Sequence, residues 1–167
     1  LRVTDPLADV APVTFTRRNN HPTDVDPIAP GLTIKRTGNQ AIFNSADNVE
    51  TSWNSSVSPL GTRWNTDGWQ DLTNVKDRYY QDFTYSLSGG GWASVKHEWI
   101  MHDTIEDRYF AIRFLTWDSG YNYPTGAFSY IRREINKNIF FSRVDTNDEE
   151  TALTGGDEID TGLTLTR

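Results

Sequence analysis

The fold class of this chain is decided by one stretch, Arg108-Tyr109-Phe110-Ala111-Ile112-Arg113-Phe114-Leu115-Thr116-Trp117. Successive side chains of a β-strand point to opposite faces, so these residues fall into two sets. One face carries Phe110, Ile112 and Phe114, and the other carries Tyr109, Ala111, Arg113, Leu115 and Trp117. Apolar groups on both faces predict a central strand that is covered on both sides. We therefore expect Phe110, Ile112 and Phe114 to be almost completely buried.

Shorter stretches of similar character lie on both sides of this strand. Periodicity predicts strands over 13–17, 32–36, 40–44, 75–86, 95–101, 127–135 and 138–143. Residues 45–74 show no regular periodicity and predict a long loop, and the three prolines between 18 and 30 predict no regular element there. Many short strands separated by turn residues predict an all-β fold, a β-sandwich or jelly-roll-like domain with extended terminal strands.

Composition limits the classes of function. The 167 residues carry a formal net charge of −7, and the pI is near 4.9. A protein that wraps nucleic acid needs a clustered basic surface, so we expect no nucleic-acid partner. The sequence contains no cysteine, which excludes disulfides and thiolate metal sites. Mean hydropathy is −0.62 and no apolar run reaches membrane-spanning length, so we expect no membrane insertion.

The last third of the chain repeats its beginning. Val13–Arg17 (Val-Thr-Phe-Thr-Arg) reappears as Ile139–Arg143 (Ile-Phe-Phe-Ser-Arg), and Ile28–Arg36 reappears as Ile159–Arg167. The two blocks keep their order, which favours a duplicated unit, although short Thr-rich strands also resemble each other by chance. The repeat divides the chain into an N-terminal arm (1–12), a β-sandwich unit (13–137) and the opening strands of a second repeat or an inter-subunit extension (138–167).

The repeated strands supply the candidate assembly residues. Two strands alone are marginally stable in water, so those of 138–167 are expected to pair with another unit or subunit. The residues proposed for this contact are Arg17, Arg36, Phe141, Arg143, Leu163 and Leu165. In an acidic protein, arginines at strand ends are expected to be exposed or paired with carboxylates at unit boundaries.

A loop rich in aromatic residues is the candidate ligand-binding site. It contains Trp117, Asp118, Tyr121, Asn122 and Tyr123. Aromatic rings beside fixed polar groups suit recognition of a sugar or a protein. The alternative is that Trp117 and one tyrosine cap the core, and that the remainder is an ordinary loop.

No arrangement of residues selects a reaction. Glycoside hydrolysis needs two carboxylates, for which Glu98, Asp103, Glu106 and Asp118 are available, but their spacing selects no pair. The three histidines form no metal signature, and the acidic run 145–150 lacks the pattern of a calcium loop and is better explained as a flexible linker. The sequence therefore predicts a protein that is not an enzyme and has no cofactor and no metal site.

Three segments carry a resemblance to a known group of proteins: Gly61–Asn74, Met101–Trp117 and Gly126–Arg133. Together they resemble a β-rich domain that recurs, sometimes in tandem, in virion structural proteins of marine tailed phages, notably cyanophages. The resemblance covers about residues 13–135 and rests on Phe-x-x-Trp, a loop, and Phe-Ser-Tyr-x-Arg. It implies a virion or surface β module and supplies no catalytic residues.

The resemblance and the repeat lead to one functional hypothesis and its alternatives. The hypothesis is a non-enzymatic virion structural protein, in a fibre, tail, neck or capsid-decoration component, that acts in particle assembly and in host attachment. Its partners would be copies of itself, other virion proteins and a host-surface glycan. The first alternative is a carbohydrate-binding module or lectin of a secreted or surface protein, and the second is a small glycan-degrading enzyme.

Overall fold

The computed structural model describes residues 7–118, 126–135, 158–159 and 163–164, apart from short gaps at 8–9, 19–20, 22, 39, 54–57, 87–93 and 96. The strands are β1 (Val13–Arg17), β2 (Asp26–Ala29), β3 (Leu32–Arg36), β4 (Ile42–Asn44), β5 (Thr62–Asn65), β6 (Glu98–Asp103), β7 (Arg108–Trp117), β8 (Phe128–Ile135), β9 (Glu158–Ile159) and β10 (Leu163–Thr164). One turn of α-helix, α1 (Phe83–Ser86), and two 3₁₀ turns, Ala46–Asn48 and Val75–Asp77, interrupt them. The expected all-β fold class is confirmed.

The strands form two antiparallel sheets and one separate hairpin. The larger sheet has the order β1-β8-β7-β6-β5, the smaller has the order β2-β3-β4, and β9 pairs with β10. β7 lies at the centre of the larger sheet, as its sequence predicts. β1 pairs with β8 of its own chain, with Phe15 opposite Tyr130. One edge of β1 is therefore paired within its own chain.

Both sheets contribute side chains to one core. Leu32 and Ile34 of the smaller sheet pack in the same cluster as Trp64 and Trp99 of the larger sheet. Phe110, Ile112 and Phe114 belong to this cluster, and each is 1% exposed, which confirms their expected burial. Alternation within β7 thus places its most apolar face against the smaller sheet.

The opposite face of the larger sheet is covered as well. Ile100, Tyr109 and Ala111 form a second cluster with residues from the loops, including Val75. Leu7 of the N-terminal arm is buried in this cluster, and its carbonyl accepts a hydrogen bond from Arg133 Nη1 at 3.2 Å. Burial on both faces explains why β7 carries apolar residues at nearly every position.

A β-bulge near the end of β7 changes which face Trp117 occupies. Phe114 pairs with Tyr130 and Thr116 pairs with Ser129, so Leu115 is an extra residue without a counterpart on β8. An extra residue reverses the alternation beyond it. Trp117 therefore lies on the same side as Phe114, with the ring centroids 5.6 Å apart. Simple alternation had placed Trp117 on the other face, which is wrong for this reason.

Three further expectations about regular structure are wrong. β2 forms despite Pro27, because an edge strand tolerates a missing N–H and Pro27 lies beside a register shift. β5 lies within the stretch 45–74, where Trp64 exchanges two backbone hydrogen bonds with Gln81. The segment 75–86 contains a 3₁₀ turn, Val75–Asp77, and α1 in place of a strand. The N–H of Phe83, at the start of α1, donates to the Ser58 hydroxyl at 2.8 Å.

Candidate functional site

Buried polar contacts join the beginning of the chain to two neighbouring strands of the larger sheet, β7 and β8. We call residues 13–36 the opening segment, and β7 with β8 the β7–β8 layer. The opening segment contains β1, β2 and β3, so it takes part in both sheets. Three charged side chains of this segment, those of Arg17, Asp26 and Arg36, are buried. Burial of a charge is costly unless polar groups compensate for it, so the partners of these residues define the contact.

Arg36, the last residue of β3, reaches the far ends of β7 and β8. Its guanidinium donates to the carbonyl oxygens of Asp118 (2.7 Å), Ala127 (3.0 Å) and Gln40 (2.7 Å). Its Cζ lies 4.2 Å from the centroid of the Trp117 ring, a cation–π distance. Burial lowers the pKa of Arg36 to about 10, and the nearby Asp118 partly opposes this shift. The guanidinium therefore stays charged at neutral pH.

Asp26, the first residue of β2, binds two residues of β8. Its carboxylate accepts hydrogen bonds from the Tyr130 hydroxyl at 2.6 Å and from Arg132 Nε and Nη2 at 2.8 and 3.0 Å. The fork of the guanidinium matches the two carboxylate oxygens, an arrangement that adds geometric specificity. Burial raises the pKa of the Tyr130 hydroxyl well above its usual 10, and the negative charge of Asp26 acts in the same direction.

Arg17, the last residue of β1, lies in a tightly packed corner. A Cβ atom added to Gly126 would lie 2.7 Å from Arg17 Nη1 and 2.1 Å from the carbonyl oxygen of Gly38. Gly126 also has a φ of +62°, which glycine adopts without strain. Burial lowers the pKa of Arg17, and the charge of Asp24 opposes this shift. A second buried arginine, Arg17, therefore packs closely beside Gly126 and Gly38, where β1, β3 and β8 come together.

The proposed assembly residues have different environments from those expected. Arg17 is 3% exposed and Arg36 is 1% exposed, so the expectation that they are exposed is wrong. Arg36 donates to backbone carbonyls, which a sequence pattern does not reveal. Leu163 lies in β10. Phe141, Arg143 and Leu165 lie outside the described residues.

The proposed ligand-binding loop begins at the same contact. The ring of Trp117 packs against Phe83, Phe114, Phe128 and the guanidinium of Arg36. The Asp118 N–H donates to the Ala127 carbonyl at 2.9 Å, and its own carbonyl accepts from Arg36. These contacts match the alternative in which Trp117 caps the core. Tyr121, Asn122 and Tyr123 lie outside the described residues.

A polar cleft on the other face of the larger sheet is a second candidate site. It has a volume of about 460 Å³ and is lined by Thr66, Asp67, Gly68, Val95, His97, Glu98 and Arg113. Glu98 pairs with Arg113 across β6 and β7, and its Oε2 accepts a hydrogen bond from the Trp69 N–H at 3.3 Å. The Arg113 Cζ lies 4.6 Å from the Trp69 ring centroid. The cleft thus presents a carboxylate, a guanidinium and an imidazole to a polar ligand.

The carboxylates considered for glycoside hydrolysis are not brought together. Glu98 lies opposite Arg113, and Asp118 follows the end of β7, five residues beyond Arg113. At about 3.3 Å per residue, the backbone positions of Glu98 and Asp118 are roughly 15 Å apart along the sheet, whereas the two carboxylates of a glycosidase are about 5–9.5 Å apart. Asp103 is buried, and its Oδ1 accepts the backbone N–H groups of Ile105 and Glu106 at 2.9 and 3.4 Å. Asp103 therefore shapes the turn between β6 and β7.

Among the described residues, no group of three or more His, Asp or Glu side chains could hold a metal ion. No helix in the described part of the chain is long and apolar enough to cross a membrane. Comparison with known proteins found no matching family model, no matching curated protein and no matching solved structure.

Proposed function

We propose that this chain is a non-enzymatic structural module of a phage particle, in a fibre, tail, neck or capsid-decoration component, where it acts in assembly. The resemblance of residues 13–135 to virion β domains supports a phage particle as the place of this protein. The repeat supports a role in assembly, because a chain that carries opening strands twice has the means to join one β unit to another. Attachment to a host-surface glycan is proposed as an additional role of the assembled particle.

One structural observation carries this proposal. β9 and β10 form a hairpin whose sequence repeats that of β2 and β3. Glu158 pairs with Thr164, and the residues at the equivalent positions of the first hairpin, Pro27 and Thr33, also pair. Of the two pairs described for the second hairpin, the other differs: Ile159 pairs with Leu163, whereas Leu32 of the first hairpin pairs with Ala29. An antiparallel pair of strands in the repeated sequence supports a duplicated unit.

The test is the assembly state of the protein. Size-exclusion chromatography with light scattering and negative-stain imaging should show that the full chain forms assemblies that grow with concentration. A variant that ends at Lys137 keeps every residue of both core clusters and should remain folded, as measured by tryptophan fluorescence, but monomeric. A full chain that stays monomeric at all concentrations would contradict the proposed role.

The polar cleft favours a second candidate function, a carbohydrate-binding module. Arg113, Glu98 and His97 offer hydrogen-bonding groups in one concave site, as sugar recognition requires. A glycan array should then show binding that His97→Ala and Arg113→Ala abolish. Arg63→Ala is a matched control, because Arg63 pairs with Asp82 and does not line the cleft. Binding that none of these variants changes would exclude the cleft.

A further inference from the structure

The repeat keeps the type of every buried residue of β2 and β3. We call residues 139–167 the C-terminal segment. In β2 and β3 the buried residues are Asp26, Ile28, Leu32, Ile34 and Arg36, and the corresponding residues of the C-terminal segment are Asp157, Ile159, Leu163, Leu165 and Arg167. All five keep their chemical type. The exposed Pro27 and Pro30 are replaced by Glu158 and Thr161.

In β1 the buried position is kept as well, although exposed Val13 and Thr16 also keep their type, as Ile139 and Ser142. The buried Arg17 corresponds to Arg143, and the half-buried Phe15 corresponds to Phe141, whereas the exposed Thr14 becomes Phe140. Gly31, which has a φ of +74° between β2 and β3, is kept as Gly162. A left-handed turn residue needs glycine. Every buried position of β1, β2 and β3 keeps its residue type, so the C-terminal segment retains the determinants of a contact.

That contact is the one between the opening segment and the β7–β8 layer. Phe15 packs against the rings of Phe128 and Tyr130, at centroid distances of 5.6 and 5.4 Å. Asp26 binds Tyr130 and Arg132, as described above. The two residues that the opening segment contributes, Phe15 and Asp26, have counterparts of the same type in the C-terminal segment, Phe141 and Asp157.

We propose that the C-terminal segment of one copy of this chain docks on the β7–β8 layer of a second copy, in the position that the opening segment occupies in its own chain. Asp157 then receives the Tyr130 hydroxyl and the Arg132 guanidinium of the second copy, and Arg167 donates to the carbonyls of Asp118 and Ala127. This inference names the partner for the proposed assembly role and rests on that role.

A second copy is the appropriate partner because the position is already filled within each chain. β1 pairs along β8, and β2 and β3 cover the same layer. The hairpin of β9 and β10 pairs with no strand of either larger sheet in the described part of the chain. Docking on a second copy, which we call the acceptor, therefore requires that the acceptor's own opening segment be displaced. Because the opening segment belongs to the same chain as its β7–β8 layer, it competes at a high effective concentration. Exchange is therefore favoured when chains are concentrated, as in an assembly.

Disulfide trapping tests this proposal directly, because the chain contains no cysteine. Thr16 lies opposite Ser129 in the pairing of β1 with β8, and Ser142 is the counterpart of Thr16. Facing residues of antiparallel strands have Cα atoms about 4.5–5.5 Å apart, within the span of a disulfide. A donor chain with Ser142→Cys is mixed with an acceptor chain that carries Ser129→Cys, with and without Asp26→Asn to loosen its own opening segment.

A donor–acceptor disulfide is expected on a non-reducing gel, with a higher yield for the Asp26→Asn acceptor. A donor that also carries Asp157→Asn should give at least about tenfold less product, because a buried guanidinium of the acceptor loses its counter-charge. A single chain with Thr16→Cys and Ser129→Cys should close within itself, which verifies the geometry. A donor with Thr151→Cys, in the acidic connector, should give no product.

Three results would overturn the inference. The first is the absence of the donor–acceptor disulfide when the Thr16→Cys/Ser129→Cys control closes. The second is a donor with Thr151→Cys that gives as much donor–acceptor disulfide as the donor with Ser142→Cys, or a yield that does not fall when the donor also carries Asp157→Asn. The third is closure of Ser129→Cys with Ser142→Cys inside one chain, which would place the C-terminal segment on its own β8. If the full chain still assembles in these cases, the proposed function stands and only this mode of docking is excluded.

Discussion

Replacing Asp26 by Asn should lower the free energy of unfolding by about 3–5 kcal/mol, the usual cost of removing one partner of a buried ion pair. The side chains of Asp26 and Arg132 are 6% and 13% exposed, so water cannot replace the lost partner. Asparagine keeps the shape of the side chain but removes the charge. The Arg132 guanidinium then stays buried without its counter-charge, and the Tyr130 hydroxyl loses an ionised acceptor.

Urea denaturation followed by tryptophan fluorescence measures this change. The midpoint of thermal unfolding should fall by roughly 6–20 °C for a chain of this size. Arg18→Gln is the matched control, because it removes only the ion pair with Asp24 and the side chain of Arg18 is 64% exposed. The control should change stability much less, since exposed pairs are screened by water. Equal effects of the two substitutions would show that the Asp26 network does not hold the opening segment, and the argument for its counterpart at Asp157 would fail with it.

Three further predictions concern the corner, the core and the response to alkali. Gly126→Ala should lower the free energy of unfolding by about 2–5 kcal/mol, the sum of strain at positive φ and of overlap with Gly38. Gly38→Ala should lower it by only about 1–2 kcal/mol, because the space around the added Cβ is open. Ile112→Ala should cost about 2–5 kcal/mol in the same denaturation assay, because a fully buried side chain is removed. The stabilisation from the raised pKa of Tyr130 should be fully present below pH 10 and fall above it, because the folded state holds the Tyr130 proton more tightly than the unfolded state does. Tyr130→Phe should therefore reduce the pH dependence of the free energy of unfolding measured from about pH 8 to 11.

The sequence was sufficient for elements whose pattern is local. Alternation identified β7 and its buried face, because Phe110, Ile112 and Phe114 are apolar at every second position. It placed β1, β3 and β8 within a residue or two for the same reason. It missed β5, whose residues Thr62–Asn65 show no clear alternation and whose outer edge pairs with Gln81. The position of such a strand depends on distant partners, and no local pattern contains that information.

The candidate site was harder to predict than the fold. The arginines that end β1 and β3 recur in the repeat, but their charge alone predicts exposure. Arg36 is buried because β7 and β8 offer it carbonyl oxygens and the Trp117 ring from about 80–90 residues away in sequence. The signal that could have indicated burial was the periodicity of β3, since Leu32, Ile34 and Arg36 share one face. An arginine at the third position of an otherwise apolar face is a candidate for a buried anchor.

Buried polar anchors explain how a short segment can find one position on a sheet. A slip of one residue in β3 would turn Leu32, Ile34 and Arg36 away from the core. The same slip in β2 would separate Asp26 from Arg132 and leave two buried charges without partners, which is far more costly than the loss of an apolar contact. Apolar residues alone would tolerate several registers, whereas the anchors permit one. A segment that must dock repeatedly on equivalent surfaces needs this specificity, and this is the physical reason to expect Asp157 and Arg167 to matter more for docking than the apolar residues between them.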